Sequence, residues 1–325
     1  MPRILLVKTS SLGDVVHNFP VVTDIQRQIR GAEIHWAVEE NFRLLPPLHP
    51  GVVRVFPVAL RRWRRSLLQA TCRREISQMR DAIQAQSYDA VIDTQGLFKS
   101  ALVCALARGR KVGFDWKSSR EPLGLFYHET HRVARSAHAV ERNRALAAKA
   151  LGYHAEGLAE FGIRADASLL DHDDWYRSLR GRHYCVFLHS TSADSKLWPE
   201  HQWSKLGAYA AGKGLQVVLP WASNAENQRS ARLAELIPRA VVPPHLPLDK
   251  VAALLGGASL AVGVDTGLTH LAAALGTPTL GIYCATNPGT TGVYGSHHVL
   301  NIGTGKAVPA LGEVLDGLAR VLALS

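Results

Sequence analysis

Residues 260–282, LAVGVDTGLTHLAAALGTPTLGI, constrain the fold more than any other stretch of the chain. An apolar run at 260–264 stops at Asp265-Thr266-Gly267. A small-residue helical run at 268–275 follows, then Gly276-Thr277-Pro278 and a second apolar run. Strand, tight turn, helix, turn and strand make a βαβ unit of minimal length, and such a unit requires a parallel sheet. The turn falls at the carboxyl end of a strand and the amino end of a helix, where unpaired backbone N–H groups and the helix dipole attract an anion. Gly267 lets a ligand approach the backbone, and Thr266 and Thr269 add hydroxyls. This set suits a phosphate better than a hydride acceptor. An ordinary βα turn with Asp265 as N-cap fits the same residues.

The rest of the chain repeats this rhythm. Residues 4–8 read as a β-branched apolar strand that runs into Thr9-Ser10-Ser11-Leu12-Gly13-Asp14 and then a helix to about residue 29. Strands are predicted at 34–38, 52–58 and 88–93, a long amphipathic helix at about 67–84 and another helix at 98–107. From 112 to 135 no period dominates, and the segment reads as loop with short helices. A helix at 138–151 closes the first half. Residues 152–182 lack an apolar repeat and mark a linker. The second half restarts with a strand at 184–189, a polar loop at 190–196 and a helix opened by Pro199. A strand at 216–219, a helix at 226–236, a short strand at 241–242 and a helix at 248–255 follow. A final amphipathic helix occupies 311–324. Both halves alternate strand and helix, so two doubly wound parallel-sheet domains are expected, over residues 1–165 and 166–325, with the last helix free to pack back on the first. Ligands of such sheets sit at the carboxyl ends of the strands, here in a cleft between the halves.

Charge separates the halves. The chain carries +10, but residues 1–150 hold 24 Lys/Arg against 13 Asp/Glu and residues 151–325 hold 13 against 14. A basic first half implies an anionic partner. Nucleic acid is the weakest of these, because the basic residues are not interleaved with aromatics and no nucleic-acid-binding signature occurs. No apolar run is long enough to span a bilayer, and the chain opens on a strand and not a signal peptide, which points to the cytoplasm. Four scattered cysteines, Cys72, Cys104, Cys185 and Cys284, show no zinc or disulfide spacing. GxGxxG, Walker, HExxH and GxSxG patterns are absent.

Several groups suit chemistry. Asp14, at the start of the first helix, either caps it or serves as a general base for an acceptor hydroxyl. Lys8, at the end of the same strand, would keep Asp14 ionised or bind an acceptor anion. Arg61, Arg62, Arg64 and Arg65 surround Trp63; they form a solvated face or, as four guanidiniums in five residues, a two-point binder of phosphates and carboxylates. Arg120, His138 and Arg142 extend that surface, His138 and Arg142 lying four apart on one helical face. Thr191, Ser192 and Lys196 suit a diphosphate, with Lys196 neutralising a leaving group. Glu226 opens a helix, where an acid is favoured by the dipole, or holds ribose hydroxyls. His270 is a capping, core or ligand histidine.

The ordered motifs resemble the ADP-heptose:lipopolysaccharide heptosyltransferases, glycosyltransferase family 9. Lys8-Thr9-Ser10-Ser11-Leu12-Gly13-Asp14 resembles their first loop and Asp265-Thr266-Gly267-Leu268-Thr269-His270 their donor motif. Arg61-Arg62-Trp63-Arg64-Arg65, the segment from Asp115-Trp116 to Arg120-Glu121-Pro122, His138-Ala139-Val140-Glu141-Arg142 and the loop Lys196 to Pro199 point to the members that add the first heptose. The resemblance implies the GT-B fold and an inverting transfer of L-glycero-D-manno-heptose from ADP-heptose to the Kdo of Kdo-lipid A. It implies Asp14 as base, with Ser10 and Ser11 beside it, and Arg61, Arg62, Arg64, Arg65 and Arg120 on the acceptor's anions, His138 and Arg142 nearby. Thr191, Ser192, Lys196, Thr266 and Gly267 would hold the diphosphate, Asp265 and His270 the sugar end, Glu226 the ribose and Leu246 the base. It implies no tightly bound cofactor or metal, a peripheral position on the anionic cytoplasmic face of the inner membrane, and a hinge within 152–182. A later-acting heptosyltransferase, or a non-catalytic lipopolysaccharide-binding protein of the same fold, shares these motifs. Asn287 stands where an aspartate is usual, Ser190 and Ser192 where alanine and threonine are familiar, and Leu246 replaces methionine.

Overall fold

The computed structural model describes residues 1–66, 68–295 and 298–323, and the chain divides into two compact units, Met1–Ile163 and Arg164–Ser325. The first is built on six parallel strands: β1 (Arg3–Val7), β2 (Glu33–Glu39), β3 (Val52–Val58), β4 (Ser87–Asp93), β5 (Arg108–Phe114) and β6 (Glu129–His131), in the order β3-β2-β1-β4-β5-β6. β1 is central because it is apolar on both faces. Leu5 and Val7 join a core with Trp63, Ile83, Ala101 and Val103. Ile4 and Leu6, equally buried, face the opposite side. On the far side of the sheet the helices Phe19–Gln28 and Ala139–Leu151 pack together. Their contact is pinned by the buried Arg144, whose guanidinium donates to Asp24 at 2.8 Å.

The second unit carries β7 (Tyr184–Leu188), β8 (Gln216–Val218), β9 (Leu260–Val264), β10 (Thr279–Ile282) and β11 (Val299–Ile302), all parallel, in the order β11-β10-β9-β7-β8. The expected strand at 241–242 shrinks to a single bridge, Val218 to Val241, on the outer side of β8. With that bridge in the third place, both sheets share one connectivity. Trp198, Trp203, Phe187, Val262 and Leu280 centre the second core. The final helix, Leu311–Ala323, buries Val314, Leu318 and Val321 in this same core. These three residues are thus taken up within its own unit; Leu324 lies outside the described residues.

Other expectations change in detail. The helix predicted to run to residue 29 is two, Leu12–Val16 and Phe19–Gln28, with Asn18 at the N-cap position of the second but making no side-chain cap bond. Pro20 explains the break: it has no N–H to continue the first helix but fits a first turn. The long helix is Ala70–Gln84, and its expected start at Leu67 is outside the described residues. The segment from 112 to 135 is not simply loop, because it includes the end of β5 and all of β6. All four cysteines are free and buried. Among the described residues no helix is long and apolar enough to cross a membrane.

Candidate active site

In a doubly wound sheet, the strand order reverses beside the first strand, and the loops leaving the two flanking strands open a crevice there. In the first unit these are the loops after β1 and β4, and their residues interlock. Lys8 is buried; its Nζ donates to Thr94 O at 2.8 Å and lies 3.4 Å from Asn143 Oδ1. Burial pushes its ammonium down from the ordinary lysine range. Asp14 and Asp93 oppose that shift, while Arg142 and Arg120 add to it. Lys8 therefore stands among these four charges as an internal counter-ion. The Gln95 side chain accepts from Thr9 N and Ser10 N, each at 3.1 Å, and so fixes the first loop. Asp14 is partly exposed and accepts from Ser11 N at 2.8 Å and Ser11 Oγ at 3.0 Å, closing a capping box on the first short helix. The capping geometry thus holds the carboxylate at the mouth of the crevice.

The arginine cluster is helical, Leu60–Ser66. Trp63 points inward and its indole donates to Glu75 at 2.9 Å. Arg62 is held by Glu40 at 3.0 Å and Glu75 at 2.8 Å. Arg61, Arg64 and Arg65, spaced i, i+3 and i+4, share the remaining face and are exposed. So Arg62 is a braced residue, and the other three are the ones displayed to solvent.

A second basic group gathers around Arg142. This guanidinium lies 5.0 Å from the Phe114 ring centroid and donates to Ser118 O at 2.7 Å. Burial pushes it down from the usual arginine range, and Arg120 and Arg135 push it further. Arg135 itself donates to Ser119 O. His138 is the N-cap of helix Ala139–Leu151, accepting from Val140 N at 3.2 Å through Nδ1, and packs edge-on to His17 at 5.3 Å. Residues not singled out from the sequence are Gln95, Arg135 and Lys99. Lys99 Nζ donates to Ser10 Oγ at 2.5 Å; burial and then Arg61 hold its ammonium below the ordinary range. Lys99 thus holds the loop before Asp14 and stands within reach of the like charge of Arg61.

In the second unit the corresponding loops follow β7 and β9. Thr191 Oγ1 donates to Asp265 O at 2.9 Å. Asp265 Oδ2 receives Lys196 Nζ and Thr286 Oγ1, both at 2.7 Å, and Oδ1 lies 3.6 Å from His270 Nε2. Burial alone would push the Asp265 carboxyl up; His270, Lys196 and Thr286 reverse this and hold it well below the usual carboxylate range. Asp265 is not the N-cap: that is Thr266, whose side chain makes no cap bond. The Thr269 hydroxyl, expected to face a ligand, is buried and donates to Val264 O at 2.7 Å. It is needed there because β9 comes so close. A Cβ on Gly263 would lie 2.1 Å from Thr269 Oγ1.

Glu226 closes a capping box with Ser223, accepting from Ala222 N at 2.7 Å. Leu246 is buried. Trp221, not singled out from the sequence, donates to Pro243 O at 2.8 Å and packs edge-on to His245. Ser192 lies on the exposed loop before the turn Asp194–Lys196. Asn287 caps the helix Pro288–Thr291, accepting from Gly289 N at 2.9 Å. Among the described residues no group of His, Cys, Asp and Glu is arranged to hold a metal ion.

Comparison with known proteins gives a consistent picture. The family model described as glycosyltransferase family 9 (heptosyltransferase) matches residues 76–313. Lipopolysaccharide heptosyltransferase 1 of Escherichia coli strain K12 is 45% identical over 300 residues, covering 92% of each chain. That of Pseudomonas aeruginosa is 46% identical over 300 residues, covering 91% of this chain and 82% of its own. The solved structure of E. coli heptosyltransferase WaaC with ADP matches with a TM-score of 0.88 at 42% identity, covering 98% of this chain and 99% of that one.

Proposed function

The chain belongs to glycosyltransferase family 9, the heptosyltransferases, and on that premise we propose that its acceptor is Kdo-lipid A and that the two switch-point sites divide the work. The enzyme is an inverting GT-B glycosyltransferase that uses ADP-heptose. In our reading the second unit holds the donor. Lys196, Thr191, Ser192 and the start of helix Gly267–Ala274 take the diphosphate, Asp265 and His270 the heptose end, and Glu226 and Leu246 the adenosine, with Trp221 beside it. The first unit presents the acceptor. Asp14 removes the proton from the Kdo hydroxyl as that oxygen attacks the anomeric carbon. The bond to ADP breaks, and the charge left on the β-phosphate is met by Lys196 and the helix dipole, so no general acid is required.

The observation that carries the acceptor assignment is the basic group around Arg142. Burial, then Arg120 and Arg135, lower the proton affinity of Arg142, and Arg142 and Arg135 are oriented by backbone carbonyls. Crowded guanidiniums of this kind favour an anion with two-point geometry, such as a Kdo carboxylate. Arg61, Arg64 and Arg65 then face the acceptor's phosphates. The excess basic charge of the first half supports a peripheral position on an anionic membrane face, where each basic residue contributes about 1 kcal/mol.

The purified protein should transfer heptose from ADP-heptose to Kdo-lipid A and not to lipid A lacking Kdo. Turnover confined to an acceptor that already carries heptose would replace this reading with that of a later-acting enzyme. Acceptor binding without any turnover would leave a lipopolysaccharide-binding protein.

A further inference from the structure

The loop after β4 meets the loop that carries the proposed base, because β4 lies beside β1 with Asp93 opposite Val7. Asp93 is buried and ends the strand. Gln95 N and Gly96 N donate to its Oδ1 at 2.8 and 3.1 Å, and Ser100 Oγ and Tyr127 OH to its Oδ2, both at 2.8 Å. The turn at Gln95-Gly96 is thereby anchored to the sheet and to the start of helix Phe98–Leu106. Its reversal uses Gly96 at φ +66°. An anchored backbone aims the Gln95 side chain, and Oε1 lies 3.1 Å from both Thr9 N and Ser10 N. Two N–H donors at one atom identify it as the amide's oxygen. Lys99, in the first turn of the same helix, holds the Ser10 hydroxyl at 2.5 Å. Ser10 is thus gripped by main chain and side chain from a single element. Ser11 follows, and Asp14 hangs from it. Both Ser11 bonds, from N at 2.8 Å and Oγ at 3.0 Å, fall on Asp14 Oδ2. Oδ1 takes neither and is the oxygen left for a substrate proton. The buried Val15 and Val16 seat the far end of helix Leu12–Val16. Its first turn, where Asp14 lies, is directed by the loop that enters it.

We propose that Gln95 is the positioning residue of the base. Through the Thr9 and Ser10 amides it holds Ser11, and through Ser11 it aims Asp14 Oδ1 at the acceptor hydroxyl. The inference rests on the reading of Asp14 as base and deepens it. Gln95 touches no reacting atom, so its effect belongs in kcat: a base displaced by about 1 Å from productive geometry loses about a hundredfold. Donor binding, assigned to the other unit, has no part in it.

The test is a cycle of variants in the full chain, with kcat read at saturating acceptor and ADP affinity by calorimetry. Gln95→Leu keeps the size of the side chain and removes the shared oxygen. It should lower kcat about ten- to hundredfold and leave the ADP Kd within about twofold. Gln95→Glu still offers an oxygen to both amides. It should restore most of the lost kcat, with a higher acceptor KM because its charge opposes an anionic substrate. In Asp14→Ala there is no base left to aim, so adding Gln95→Leu should change kcat by less than about twofold. Hydrogen exchange locates the cause: the Thr9 and Ser10 amides should exchange at least about tenfold faster in Gln95→Leu than in Gln95→Glu. Should Gln95→Leu not fold, Gln95→Asn, one methylene short of both amides, takes its place in the cycle. An unchanged kcat on losing the oxygen would overturn the proposal. So would losses that multiply in the double variant, or a Glu variant as slow as the Leu one, because a merely structural residue gives both. Unprotected Thr9 and Ser10 amides in the unsubstituted protein would refute the contact itself. Absence of transfer by the unsubstituted protein refutes the functional reading, and the positioning role with it; transfer with an additive cycle leaves that reading standing and removes only the role of Gln95.

Discussion

Removing Lys196 tests the donor site most sharply, because the structure sets stability and binding effects of opposite kinds on two partners. Lys196 Nζ sits 2.7 Å from Asp265 Oδ2, and the two side chains are 28% and 10% exposed. Breaking a fully buried pair from one side costs about 3–5 kcal/mol. Lys196 keeps a good part of its surface in water, so Lys196→Ala should cost about 2 kcal/mol of stability, with Thr286 and His270 left to hold Asp265. The loss should depend on pH in a defined sense. The Asp265 carboxyl is depressed in the folded protein, so its contribution is complete above the unfolded carboxylate value near about 4 and fades as pH falls below it. Thermal unfolding should therefore show the gap between the unsubstituted protein and Lys196→Ala narrowing below about pH 4. Calorimetric titration with ADP separates the second effect. With Lys196 as the diphosphate's cation, as proposed, Lys196→Ala should weaken ADP about ten- to hundredfold. Asp265→Asn frees the ammonium and removes an anion near the diphosphate, so ADP should bind as well or better. If Asp265→Asn weakened ADP more than Lys196→Ala does, Lys196 would not be the diphosphate's cation. The double variant should depart from additivity by at least about 1 kcal/mol in stability.

Asp14→Ala is expected to cut heptose transfer by at least about a hundredfold with ADP affinity unchanged, read by product formation and calorimetry. Replacing Arg61, Arg64 and Arg65 with alanine should raise the acceptor KM and leave ADP binding alone, whereas Arg62→Ala should act mainly on local order, because Glu40 and Glu75 already hold that guanidinium. His189 is buried between Ser190 and Ser230, and burial, then Arg229, pushes its imidazole down to about 3. The unfolded chain therefore binds a proton that the folded one refuses as pH falls below about 6.5, at a cost of about 2 kcal/mol by pH 5. His189→Asn should flatten that acid limb in thermal unfolding.

How much of this was legible in the residues follows from which contacts are local. The turn at Asp265, the loop to Asp14 and the apolar strands β1, β4, β7 and β9 announce themselves because their period and punctuation lie within a few residues. β5 does not, since Arg108, Arg110 and Lys111 give RGRKVGF the look of a loop, and β6 is three residues long. The arginine helix was hidden because five residues with one apolar member carry no period. Lys99 could not be found by pattern at all: its partner Ser10 is 89 residues away. Arg135 is silent for the same reason, meaningful only beside Arg142. Thr269 shows the converse error. A hydroxyl next to a glycine turn looks like a ligand group, but the close approach of Gly263 turns it inward.

The two units share their strand connectivity, so topology alone does not decide which binds the nucleotide. The loops do. In a nucleotide-binding unit the backbone amides after the first strand and at the helix start receive the phosphates. In the first unit the amides of Thr9 and Ser10 are already taken by Gln95 Oε1, supplied from the loop after β4, and Asp14 places a carboxylate at the helix start. A diphosphate there would have to displace an amide and face a negative charge. In the second unit the helix start carries Thr266 with its hydroxyl uncommitted to capping, and the one nearby carboxylate, Asp265, is paired with Lys196. On the proposed division of work, the same scaffold would reject a polyphosphate in the first unit and accept it in the second. What the first unit retains is a carboxylate at the crevice mouth ringed by cations, suited to deprotonating a hydroxyl on an acidic sugar.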